Sequence, residues 1–352
     1  MFDHEVVGNL HVHSLHSDGN ADVSRIVRSA EKADLDFLCL NDHAHMCNSL
    51  HLEEEGFYGK VLVLVGSEIG VRHNHYLAFG LREPVHENGL RPQEMIDRVH
   101  AQGGMGFLAH PFEKGMPFLE DSIAYAWKDL SVRGFTGICI WNFTSRWKER
   151  VRTFLHGLFF LTFKAETLRG PSRETLAFWD QCCSERRVVA VGGSDAHGSC
   201  LRFGPLRFTP LTYDCLLNTI NIHVFLNRKL PRDPVHARQD IYEAMGAGRL
   251  FVAHDGLCPA RGFRFEFLSE DGSSQYMGEE GALGKGGEMV IELPREGEIR
   301  LVRDGRPIRG WRGREAVYGV TERGIYRVEA YLRHFLFGWR PWIFSNPIYL
   351  RK

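Results

Sequence analysis

Short apolar runs closed by a nitrogen or oxygen donor recur along the first two hundred residues. "VVGNLHVH" ends on His11 and His13, "FLCLNDH" on Asp42 and His43, and "VLVLVGSE" on Glu68. Further on, "HYLAFG" opens with His75, "GFLAHP" closes around His110, "GICIWN" ends on Asn142, and "VVAVGGSDAH" ends on Asp195 and His197. Runs of this length and composition predict buried strands. Helical periodicity fills the gaps between them. In "DVSRIVRSAEKAD" the residues Val23, Ile26, Val27, Ala30 and Ala33 share a face, and Asp22 can cap the first turn. In "RPQEMIDRVHAQGG" Pro92 suits the first turn, Met95, Ile96 and Val99 share a face, and Gly103 ends the helix. Strands alternating with helices predict an α/β fold with parallel pairing, in an open sheet or a closed barrel.

The rhythm breaks at about 143–186, which reads as a helical insertion. Residues 149–166, "ERVRTFLHGLFFLTFKAE", are apolar on more than one face. A buried packing helix is the simplest expectation; a lid over the crevice and a dimer contact are the other two. Arg146, Lys148, Arg150, Arg152, Lys164, Arg169 and Arg173 nearby read as a solvated face, with contact to an anionic substrate as the alternative. After Pro231 the character changes. "DIYEAMGAGR" is a linking helix, and "FRFEFL", "EMVIEL", "EIRLVRDG" and "GIYRVEAYL" then alternate between Gly-rich turns. Asp304-Gly305 is a hairpin signal. The expected division is 1–235, a linking helix and loop at 236–257, and a small antiparallel β-sandwich at 258–352.

At 352 residues the chain is long enough for two domains. A formal net charge of -1 offers no global field for nucleic acid or an anionic membrane, so neither partner is expected. The outlier is histidine: 12 of the 18 lie before position 111, which places the chemistry in the first part. Eight cysteines without a CxxC pair, two of them the neighbours Cys182 and Cys183, indicate neither a disulfide framework nor a zinc ribbon. A reducing, cytoplasmic setting is therefore expected. "MFDHEVVGN" lacks the pattern of a signal peptide, and the ten residues of "FLHGLFFLTF" are too few to span a bilayer.

In α/β folds the strand C-termini converge on one rim, so donors far apart in sequence meet in one crevice. His11 and His13, two apart on a strand, point to the same side and can share an ion. The elements "HVH", "SDG", "NDH", "GSEI", "NHYLAFG", "AHP" and "GGSDAH" occur here in the order of the PHP (polymerase and histidinol phosphatase) family, which the chain resembles over 5–80, 104–142 and 188 to about 204. The resemblance implies an irregular seven-stranded β/α barrel with two or three divalent metal ions on its rim. Carried over position by position, it implies His11, His13, Asp18, His43, Glu68, His75, His110, Asp195 and His197 as metal ligands, with Glu68 bridging. Asn41 replaces the family's usual Thr. Cys139 stands where many relatives carry Glu; it is either a thiolate ligand or, more simply, a small buried hydrophobe.

Mixed imidazole and carboxylate donors suit Mn, Zn or Fe. Paired ions activate water and stabilise both oxygens of a phosphoryl transfer. The resulting expectation is a metal-dependent hydrolase: a phosphoesterase that attacks a small phosphorylated substrate with metal-bound hydroxide. Carbamate or carboxylic ester hydrolysis at the same metals is an alternative, because the C-terminal "RVEAYL" and "WIFSNPIYL" resemble a carbaryl-hydrolase-like subgroup with a β-domain. A non-catalytic metal-binding module is another. Asp195 and His197 are expected in catalysis as well as ligation. His16 is a candidate proton donor and Arg202 a candidate phosphate contact; a solvent-facing loop histidine and a structural salt bridge are their bland alternatives. Asp42 is expected to orient an imidazole. His45 and His73 flank ligands, and His254-Asp255 reads as structural. No GxSxG elbow is present.

Overall fold

The computed structural model describes residues 4–118, 124–199, 201–203 and 206–351. The first part runs β1 (His4–Val12), α1 (Val23–Lys32), β2 (Phe37–Leu40), β3 (Gly56–Tyr58), β4 (Val61–Ile69), β5 (Tyr76–Phe79), α2 (Pro92–Ala101), β6 (Met105–Leu108) and β7 (Gly137–Asn142). The helical insertion holds α3 (Phe143–Lys148), α4 (Phe154–Thr162), α5 (Lys164–Thr167) and α6 (Arg173–Glu185), and β8 (Val189–Gly193) follows. Next come the hairpin β9 (Leu201–Phe203) and β10 (Leu206–Phe208), then α7 (Tyr213–Leu216), β11 (Ile220–Leu226), α8 (Pro234–Ala247) and β12 (Leu250–His254). The rest is β13 (Arg264–Ser269), β14 (Ser274–Tyr276), β15 (Glu280–Gly281), β16 (Gly287–Arg303), β17 (Arg306–Val320), β18 (Gly324–His334), β19 (Gly338–Ser345) and β20 (Ile348–Leu350).

Local chemistry explains the helices. Asp22 caps α1 by accepting from the Arg25 amide at 2.7 Å, and α1 buries Val23, Ile26, Val27 and Ala30. α2 starts at Pro92 and buries Met95, Ile96 and Val99. Strands β1–β2–β4 and β6–β7–β8 pair in parallel, each run linked to its neighbour in space. β5 departs from the expected direction: it is antiparallel to both β4 and β6. Only residues 70–75 separate β4 from β5, and a parallel crossover needs a dozen or more. This reversal puts the start of β5, and therefore His75, on the rim where its neighbours end. Beyond β8, Val12 bridges Ala196, whose carbonyl accepts from His13 and whose amide donates to His11.

The expected link at 236–257 is more than a loop, because β12 pairs with β11 on one side and β19 on the other. Apolar side chains gather in two clusters, one beneath the rim and a second among Phe251, Phe265, Ile291, Leu301, Val328 and Trp342. β16 and β17 form a long hairpin turned by Asp304 and Gly305, whose φ values of 50° and 76° suit a two-residue turn. Between Glu292 and Gly297 β16 exchanges one neighbour, β13, for another, β18. Buried Arg327 of β18 reaches back to Asp180 of α6 at 3.0 and 3.1 Å. No described helix is long and apolar enough to cross a membrane.

Candidate metal centre

The end of β1 directs His11 and His13 inward, with their Nε2 atoms 3.0 Å apart. Gly193 lets β8 pack close against His11, since a Cβ there would lie 2.9 Å from His11 Cβ. The loop after β1 is folded by Asp42, whose carboxylate accepts from the Ser14 amide and hydroxyl, both at 2.8 Å, and from the Ser17 hydroxyl at 2.5 Å. Asp42 thus pins a loop instead of orienting an imidazole as expected. Its carboxylate leaves the end of β2 for the loop that follows β1. Tyr213 fastens the same region, with its hydroxyl 2.7 Å from the His13 carbonyl and 2.9 Å from that of His197.

Glu68 is the centre of the cluster. Its Oε2 lies 3.2 Å from His11 Nε2, 3.3 Å from His13 Nε2 and 3.3 Å from His43 Nδ1. Its Oε1 lies 2.9 Å from His75 Nδ1 and 3.4 Å from His110 Nε2. Asp195 Oδ1 stands 3.3 and 3.4 Å from the Nε2 atoms of His11 and His13. On the outer side, Asp18 lies 3.3 Å from His197 Nε2, 3.5 Å from His13 Nδ1 and 3.6 Å from His43 Nε2. Three donor groups result: His11, His13, Glu68 and Asp195; His43, Glu68 and His75; and His13, Asp18, His43 and His197. His110 and Asp195 adopt positive φ, 28° and 57°, a strained backbone that clusters at functional sites.

The donor set fits divalent ions. Four atoms around a tetrahedral ion with bonds near 2.0–2.1 Å lie ~3.3 Å from one another. His11 Nε2 and His13 Nε2 lie 3.0 Å apart, and each stands 3.2–3.4 Å from Glu68 Oε2 and Asp195 Oδ1. Moreover, the buried Nδ1 atoms of His13 and His43, which face Asp18 and Glu68, lack a well-directed hydrogen bond. Burial works against charge on Glu68, yet His11, His75 and His43 hold its carboxyl well below the usual range. Asp195 is likewise buried and held low by His11, His13 and His197. Burial pushes His43 down to about 3, whereas His13 is raised against its burial by Asp195 and Glu68.

Other sequence candidates fall elsewhere. His16 turns away: its Nε2 meets Glu54 at 2.9 Å and its ring stacks on His51 at 3.8 Å. Arg202 lies in the backbone of β9, and its side chain is outside the described residues. Cys139 is buried, its thiol pushed up to about 12 by burial and set toward the Trp141 carbonyl, and it joins none of the donor groups. His254 donates to the Ala165 carbonyl at 3.1 Å. Lys148 and Arg146 are not a solvated face. Lys148 Nζ lies 2.7 Å from Glu113, and Arg146 donates to the Gly170 carbonyl at 2.8 Å and pairs with Glu149.

Glu113 is the residue that pattern reading missed. Buried at 7% exposure, it accepts from Ser145 at 2.7 Å and faces His110 Nδ1 at 3.2 Å. It therefore backs the ring nitrogen opposite the one near Glu68. A signal was present: a carboxylate three positions after a strand-end histidine.

An α/β fold with a rim of buried imidazoles and carboxylates defines a candidate metalloprotein. Residues 9–129 match the family model of the PHP domain. An uncharacterised protein of Methanocaldococcus jannaschii is 26% identical over 127 residues, 33% of this chain and 73% of that one. A crystal structure from Bacteroides vulgatus, described as a two-domain protein containing a predicted PHP-like metal-dependent phosphoesterase, aligns with a TM-score of 0.44 and 17% identity. It covers 97% of this chain and 95% of that chain. A second, of a candidate metal-dependent phosphoesterase from Bifidobacterium adolescentis, gives 0.34 and 15%, covering 54% of this chain and 87% of that chain.

Proposed function

We propose that the protein is a metal-dependent phosphoesterase acting on a small phosphorylated substrate. The observation that carries this reading is the spacing of His11, His13, Glu68 and Asp195, 3.0–3.4 Å between neighbouring donor atoms, within a PHP domain. In this reading those four would hold one ion, and Glu68 with His43 and His75, close to His110, would hold another. Asp18, His197, His13 and His43 form a further position. Bound Mn, Zn or Fe would supply Lewis acidity toward a phosphoryl oxygen and lower the pKa of a water to about 7. The residues themselves set direction and charge. Glu68 is 1% exposed at its side chain and Asp18 40%, so substrate approaches from the Asp18 and His197 side. Asp195 joins that side to the buried floor through its contacts with His11 and His197.

The same proposal takes the ring of strands β1, β2, β4, β5, β6, β7 and β8, with the Val12–Ala196 bridge, as an irregular seven-stranded β/α barrel. The second apolar cluster supports a β-sandwich over 258–352. The deciding experiment is phosphate release from p-nitrophenyl phosphate by Mn-loaded protein, with Asp195→Ala as control. Release lost in the variant supports the proposal. No release from protein with measured metal content rejects it; cleavage of carbamates or carboxylic esters then identifies the alternative chemistry, and no cleavage a non-catalytic metal-binding module.

A further inference from the structure

The helix α4 and the turn between β18 and β19 combine into one apolar surface. Phe154, Leu155, Leu158 and Phe159 are 70, 72, 55 and 43% exposed, and Phe160 is the buried residue of that helix. The β18–β19 turn raises Phe335 and Leu336, 86 and 64% exposed. Phe337 joins the two, its ring 6.2 Å from Phe159 and 5.4 Å from Phe163. Isolated exposed hydrophobes are ordinary, but a contiguous group marks an interaction surface. The expected buried packing helix is therefore half open to solvent.

The charges around this surface are mostly cationic. Residues 150–165 contain Arg150, Arg152 and Lys164 between Glu149, which pairs with Arg146, and Glu166; residues 330–345 contain Arg333 and Arg340, and the neighbouring Glu329 is turned inward against Arg327. Arg312 of β17 adds a further cation, over the Trp339 ring at 5.4 Å. A net charge of -1 for the whole chain conceals this local excess.

We infer that this surface docks the protein peripherally on an anionic lipid bilayer. The headgroups complement Arg152, Arg312 and Arg333, and the acyl boundary receives Leu155, Leu158, Phe335 and Leu336. A nine-residue helix is far too short to span, so it lies on the bilayer. A second copy fits less well, because a two-fold contact would set Arg152 and Arg333 against their own copies. Nucleic acid offers anions, and Phe154 and Phe335 offer rings for bases, but Leu155, Leu158 and Leu336 on the same surface favour an acyl boundary over stacked bases. The inference stands apart from the proposed activity.

The test is sedimentation of the full chain with phosphatidylcholine vesicles made with and without phosphatidylserine. We expect binding to the anionic vesicles that weakens with salt. It should fall about tenfold or more in Leu155→Ser/Phe335→Ser and again in Arg152→Glu/Arg333→Glu. All four side chains sit at the surface, and unchanged thermal unfolding shows that both variants fold. No sedimentation with anionic vesicles, or sedimentation unaffected by either double variant, overturns the inference. So does a dimer in light scattering that Leu155→Ser/Phe335→Ser dissociates while vesicles stay unbound. Binding of single-stranded RNA that the charge variant alone abolishes, without vesicle binding, overturns it as well.

Discussion

Two buried histidine clusters in this molecule are built from the same residue types and behave in opposite ways. Around His223 every polar atom has a partner: Nδ1 meets Glu5 at 2.7 Å and Nε2 meets Asp255 at 3.1 Å. Glu5 also accepts from the Gly262 amide and Arg264, and Asp255 from Asn221 and the Ala260 amide. Around Glu68 the imidazoles crowd one another and leave Nδ1 atoms without directed partners. A polar cluster that satisfies itself is a fastening. One whose lone pairs converge on a common point is complete only with a cation there.

Breaking each cluster separates these roles. Asp195→Ala should reduce metal-dependent phosphate release at least about a thousandfold, near 4 kcal/mol of transition-state stabilisation, read as kcat/KM against the parent. His223→Leu should leave metal uptake intact and cost about 3 kcal/mol in denaturant unfolding, because two carboxylates lose their buried counter-charge. That second deficit depends on pH. Burial opposes charge on His223, but Asp255 and Glu5 raise it from 6.5 to about 9. The folded state therefore binds the extra proton, and the stabilisation is full below pH 6.5 and fades as pH climbs through 9. Unfolding measured at pH 6 and pH 10 should show the gap between parent and variant narrowing.

Metal removal sharpens the contrast further. Chelation should lower the stability of the parent by about 2.7 kcal/mol relative to protein with free ion at a hundred times Kd, and hardly change Asp195→Ala. Calorimetric Tm values with and without chelator test this. Glu113→Gln keeps the shape but weakens the support of His110, so chelator competition should report an affinity about 10- to 100-fold lower. Asp22→Ala, remote from both clusters, should cost about 1 kcal/mol of unfolding free energy through the lost α1 cap and nothing in metal affinity.

Much of the rim was legible because strand ends announce themselves: an apolar run stops at His13, Glu68 or Asp195, and the fold does the rest. The reversal of β5 was not, since helix–strand alternation alone does not fix direction; the shortness of 70–75 does. Glu113 and Lys148 meet across 35 residues with no periodic signal to join them. Asp42 was read as a partner for histidine because sequence neighbours suggest contact, while its carboxylate points across to Ser14 and Ser17. The exposure of α4 was equally hidden, because apolarity in a sequence does not say what, if anything, covers it.

The position of β12 has a consequence for any attempt to cut the molecule in two. Phe251, Val252 and Ala253 share backbone hydrogen bonds with Ser345, Phe344 and Ile343 as well as with β11. A chain stopped after His254 would keep every imidazole of the rim and yet leave the apolar strand β12 paired on its β11 side alone, with its other edge open to solvent. Such an edge recruits other chains. A unit for expression therefore has to run past His254 through β19 and β20, the last strands acting as the selvedge that keeps the sheet from unravelling into aggregates.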